Sequence, residues 1–199
     1  MGETLGYSLS AVVLGVIALI VSTLTLRGEE ATVATVQYSS VKQSTMDLVG
    51  VMDRDFRNMG SNFPYPDILS EGAVINYDTT STPNRFDFTG QTQPDALPDT
   101  ISYRWQAGSP ATSDGITYPT VTLKRYVNDV LTGQNSGVIT SLKIELYDGE
   151  GAPVMDGADT RQIQVEMKMI SSLGANGDIK ESRWSETFHP MHMAKQDGL

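Results

Sequence analysis

The chain has 199 residues, 39% of them hydrophobic, with 24 acidic and 14 basic side chains and a net charge of −10. That length allows one sizeable domain, or a long helix followed by a domain of roughly 130–140 residues. The acidic balance predicts no nucleic acid contact, since phosphate binding needs a clustered basic face, and the absence of cysteine excludes disulfides, thiolate metal sites and cysteine nucleophiles.

The first element is apolar. Tyr7 to Leu26, "YSLSAVVLGVIALIVSTLTL", carries no charge; the flanking charges are Glu3 and Arg27. At about 1.5 Å per residue these residues span roughly 30 Å, the thickness of a bilayer's hydrocarbon core. A cleaved secretory signal wants a basic leader, a shorter apolar run and a small-x-small cut site. The acidic leader and long run read instead as a retained anchor, with the large domain on the far side of the membrane. No proline interrupts residues 27–60. In "EEATVATVQYSSVKQSTMDLVGVMDRDFRNMG" the apolar positions Val41, Leu48, Met52, Phe56 and Met59 share one helical face. Gly60, with Pro64 shortly after, supplies a stop. The pattern predicts one helix from about Tyr7 to Met59, with any kink near Gly15 or Gly28. Asp53 and Asp55, two apart on it, face different directions and suit salt bridges better than acid–base catalysis. The basic pairs Arg54–Arg57 and Lys124–Arg125 read as solvated surface.

After Pro66 the pattern changes to strands and turns. Strands are predicted at 73–77, 85–89, 100–105, 120–127, 137–148, 160–171 and 180–189, from alternating or clustered β-branched and aromatic residues. Ile163, Val165, Met167 and Met169 share one face, opposite Gln162, Gln164, Glu166 and Lys168. One dry and one wet side points to antiparallel pairing. The apolar stripe over 41–59 is the cover expected for the dry side. The fold class is therefore α+β: a short leader-like segment at 1–6, a transmembrane helix at 7–27, its amphipathic continuation at 28–60, and an antiparallel β-sheet domain at 61–199 packed on that second half.

Sites for chemistry are few. No nucleophile motif, phosphate loop or zinc-type spacing occurs, so no catalytic residue is assigned and no enzyme activity is expected. His189 and His192, with Met191 and Met193, offer soft-metal ligands but read first as a strand end. The acidic loop "YDGEGAPVMDGAD" gathers Asp148, Glu150, Asp156 and Asp159, hard oxygen donors of the kind calcium takes, against the plainer reading of an acidic hairpin loop. Calcium, at this loop, is the one cofactor that the sequence offers ahead of the soft-metal reading.

The front and rear of the chain together resemble the type IV pilin superfamily. Gly6-Tyr7-Ser8-Leu9 fits the prepilin cleavage pattern of Gly, aromatic, Ser/Thr and Leu, with Tyr7 in the place of the usual Phe. "MDRDFRNMG" resembles the end of the family's long helix. "TISYRW", "LKRYVNDV", "GVITSLKIELYDGEG", "ADTRQIQVEMKMIS" and "SETFHPMHM" are similar to the strand order of the J-type minor pseudopilin of type II secretion and its pilus-assembly counterpart. The resemblance implies cleavage after Gly6 and N-methylation of Tyr7 by a prepilin peptidase. It implies a filament core built from the helix, here Val13, Ile17, Ala18 and Val21. It also implies residence in the inner membrane before assembly, then an extracellular or cell-surface filament whose partners are copies of this chain or related pilin-like subunits. Some major pseudopilins bind calcium in a loop like 147–159. The family's usual Glu at the fifth mature position is Ala11 here, and the leader carries no Lys or Arg. Two further functions are weighed: a membrane-anchored virion or envelope structural protein with an exposed β-domain, and a binding module on a membrane stalk.

Overall fold

The computed structural model describes residues 2–61, 73–92, 97–113, 115–135, 137–155, 159–171 and 179–190. One helix, α1 (Gly2–Arg57), runs without a break through the apolar and amphipathic halves, so the leader-like residues continue it. Its 56 residues extend about 84 Å at 1.5 Å per residue. It ends where the stop was expected. The Asn58 amide still reaches the Arg54 carbonyl at 3.2 Å; then Gly60 takes φ 73°, the left-handed conformation that favours glycine. The Gly60 amide leaves the helix to donate to Thr89 at 2.8 Å.

The strands are β1 (Val74–Asp78), β2 (Asn84–Gly90), β3 (Asp99–Ala107), β4 (Ala111–Ser113), β5 (Ile116–Tyr118), β6 (Val121–Val127), β7 (Val130–Gln134), β8 (Val138–Tyr147), β9 (Pro153–Val154), β10 (Gln162–Ile170) and β11 (Glu181–Phe188). All seven predicted strands are present. The main sheet runs β1-β2-β3-β6-β8-β10-β11 with antiparallel pairing; β7 is added on β6 and β9 on β8, while β4 and β5 form a separate hairpin. The β6–β7 turn is Asn128-Asp129, both at positive φ (51° and 62°), which is type I′ geometry.

The expected dry face is the core. Ile163, Val165, Met167 and Met169 on β10 are buried, and Glu166 and Lys168 between them are exposed. The helix covers this face with Val41, Thr45, Met52 and Phe56, and Met59 just past its end joins them; all are buried. Phe56 is the hub: its ring lies 5.1 Å from Phe188, 5.6 Å from Phe88, 5.6 Å from Tyr103 and 5.9 Å from Phe86. Gly137, entering β8, lets the sheet come down on the helix. A Cβ there would lie 3.3 Å from Ser44 Cβ and would overlap the Met169 methyl.

Candidate functional site

The exposed half of α1 is the first candidate. Val13, Ile17 and Val21 are 51%, 51% and 56% exposed, and Leu14, Leu19 and Leu24 more so. Ala18 is exposed as well. All four residues assigned to a filament core thus lie free of the chain's own sheet. The helix is long and apolar enough to cross a membrane: its most apolar window has mean hydropathy 1.8 and none of that window is buried. Gly6 and Tyr7 lie within the helical backbone, with no linker between them and the rest of α1.

The second feature is how the other half is fastened. Asp55, 3% exposed, accepts two hydrogen bonds from Arg125 of β6, at 2.5 and 3.0 Å, and one from the Tyr103 hydroxyl of β3 at 2.7 Å. A two-pronged guanidinium–carboxylate pair is directional as well as strong. Burial lowers the Arg125 pKa, but the Asp55 carboxylate outweighs this and raises it overall. Burial, reinforced by the Asp55 charge, pushes the Tyr103 phenol well above its usual range. Arg125 therefore does not behave as the solvated surface residue its sequence neighbourhood implied: only 13% of its side chain is exposed. Asp53 behaves as read, pairing with Arg57 at 2.6 Å on the surface. Arg57 also reaches Glu186 of β11 at 3.6 Å.

Leu48, expected under the sheet, is half-buried. It lines a cleft of about 190 Å³ with Val51, Leu123 and Gly133, between α1 and the β6–β7 hairpin. A second cleft, about 400 Å³, lies between β8 and the β1–β3 side, lined by Tyr77, Trp105, Leu142, Ile144, Pro153 and Met155.

In the acidic loop the Asp148 carboxylate is already engaged. Its Oδ1 accepts the amides of Glu150 and Ala152 at 2.9 and 2.8 Å, which shapes the turn at Gly151 (φ 85°). Glu150 and Asp159 are exposed, and Asp156 lies outside the described residues. Among the described residues no three His, Cys, Asp or Glu side chains come together as a metal site. His189 is exposed, and His192 lies outside the described residues.

The residues that sequence reasoning missed are Arg125, Tyr103 and Thr45. Asp55 and Thr45 both fall on the stripe of Val41, Met52 and Phe56, and a polar residue inside an apolar helical face is the signal that could have singled them out. Taken together, a long apolar N-terminal helix with an antiparallel sheet on its second half is a pilin-like architecture. No protein-family model matches the chain, and neither a curated protein nor a solved structure matches it.

Proposed function

We propose that the chain is a structural subunit of a filament like a type IV pilus or a type II secretion pseudopilus, assembled through its N-terminal hydrophobic helix. One observation carries this reading: a single helix is covered by its own domain from Val41 onward and is bare over the described part of its apolar segment, residues 12–26. At roughly 25 cal/mol per Å² of apolar area, that bare half is too costly to leave in water. It belongs in a bilayer before assembly and against copies or relatives of itself afterwards. Small and hydroxylated positions (Gly15, Ala18 and Ser22) permit close helix approach. Prepilin peptidase would be the processing partner, acting at Gly6-Tyr7. The role is structural rather than enzymatic. Calcium at the acidic loop would be an accessory to it; because Asp148 Oδ1 is spent on backbone amides, any such site must draw on the loop's other oxygens.

Mass spectrometry of the mature N-terminus tests the proposal. An N-methylated Tyr7 supports it. An intact Met1 supports the second reading, a permanently membrane-anchored envelope or virion protein, which is favoured by Ala11 in place of the family's glutamate and by a leader without Lys or Arg.

A further inference from the structure

Among the described residues, one side of β8 is largely without a paired strand. β8 pairs with β10 from Val138 to Tyr147. On its other side β6 meets it only at Ile139, opposite Val121, and β9 only at Leu146 and Tyr147. Among the described residues no strand lies beside Thr140–Glu145. The cause is local. β6 begins at Val121, and the residues before it, Pro119 included, leave the sheet for the β4–β5 hairpin. Proline has no amide to donate to a ladder.

Strand geometry says which groups face the gap. Successive residues turn their backbone N–H and C=O to opposite sides. Asp148 and Leu146 turn theirs toward the β9 side, as the Asp148 amide bond to Ala152 (3.0 Å) and the Leu146–Val154 pairing require. Ile144 and Leu142 continue in the same phase. The Tyr77 hydroxyl confirms the phase by donating to the Ile144 carbonyl at 2.6 Å, where a neighbouring strand's amide would otherwise donate.

We infer that the cleft of about 400 Å³ beside β8 is a binding site for an extended peptide segment of another polypeptide, which adds as a strand to the Leu142–Ile144 edge. The walls select this ligand chemistry. Leu142, Pro153, Val154 and Met155 offer aliphatic surface for alternate side chains, with Met155 73% exposed at the lip. Sugar stacking is disfavoured. Trp105 is buried and donates its indole N–H to Asn84 at 2.9 Å, with the Asn84 amide oriented to suit its neighbours; the Tyr77 hydroxyl is engaged as well. The cleft's charged residues, Lys143 and Glu145, pair with each other at 2.8 Å, so it complements an uncharged strand rather than an acidic or basic one. The inference does not depend on filament assembly.

The test uses the full chain in detergent micelles and a capped octapeptide of alternating threonine and valine. The same peptide with alternate amides N-methylated is the control, since it cannot form a ladder. In the free protein, the Leu142 and Ile144 amides should exchange rapidly while their β10-facing neighbours Lys143 and Glu145 stay protected. Millimolar peptide should protect Leu142 and Ile144; the N-methylated peptide should not. Leu142→Pro removes an edge amide but no β10 bond, and should weaken binding about tenfold, the scale of one lost hydrogen bond. Tyr77→Phe frees the Ile144 carbonyl and should tighten binding, an effect opposite to that of simple structural damage. Protection of both edge amides already in the free chain would overturn the inference. So would no protection at millimolar peptide, or equal binding of the N-methylated control.

Discussion

Asp55 places a carboxylate in the core of a small sheet domain, and its worth depends on both partners staying in place. Removing one member of a buried pair strands the other charge, which typically costs about 3–5 kcal/mol. Asp55→Ala should therefore lower the stability of the sheet domain by that amount in chemical denaturation, and adding Arg125→Met should recover part of the loss. Tyr103 makes a different prediction, about pH. Its folded pKa is raised, so its contribution is complete below the unfolded value near pH 10 and is lost as pH rises beyond it. Tyr103→Phe should cost about 1.5–3 kcal/mol at neutral pH, for a hydrogen bond to a charged group, and should flatten the fall in melting temperature above about pH 10. Phe56→Ala, which empties a site ringed by four aromatic side chains, should cost about 3–5 kcal/mol. A loss below about 1 kcal/mol would mean that Phe56 is not the hub. At this scale the sequence was only partly readable. The apolar stripe and the surface role of Asp53 come from helical spacing, which is local. Arg125 lies 70 positions from Asp55, and nothing in its own neighbourhood marks it as buried.

The elements were more legible than the contacts. Helical periodicity without proline located α1, and alternation or clustering of β-branched and aromatic residues located seven of the strands. The short strands β4, β5, β7 and β9, of two to five residues, were missed because they lie in or beside stretches rich in Gly, Pro, Ser and Asn. Such stretches read as turns, and pairing there is imposed by neighbours rather than by pattern. The β6–β7 hairpin was nonetheless within reach, because Asn-Asp between two β-branched residues is a two-residue turn signal. The helix itself carries a prediction at Gly28. A Cβ at this position meets nothing within 4 Å, so alanine brings no clash and gains about 1 kcal/mol of helix propensity. Gly28→Ala in detergent should slow amide exchange around residues 25–32 by about fivefold. Unchanged exchange would show that this stretch is already held by something other than its own hydrogen bonds.

At the scale of the whole molecule, two halves of one helix live in different surroundings. The α+β class and the anchor-like first half were readable because both rest on composition and period. The proposed filament role rests on the resemblance rather than on composition or period, because it depends on surfaces that meet other chains. The decisive variant is Ile17→Asp, a charge in the middle of the bare half. It should abolish membrane retention and filament incorporation together, as measured by fractionation and by yield of sheared filaments. Assembly at normal yield would remove the helix from the filament core and favour the anchored reading.

The seam between helix and sheet also has a mechanical meaning. Contacts from Val41 to Met59 cover about five helical turns and finish at the Gly60 exit, with Asp55 locked to two strands near that end. A pull on the far end of α1 must therefore shear the whole seam at once, since no single outer contact can peel away first. A chain built this way can carry tension along its length while its sheet stays folded, with the Asp55 clamp tying the helix to two strands near the Gly60 end of the seam.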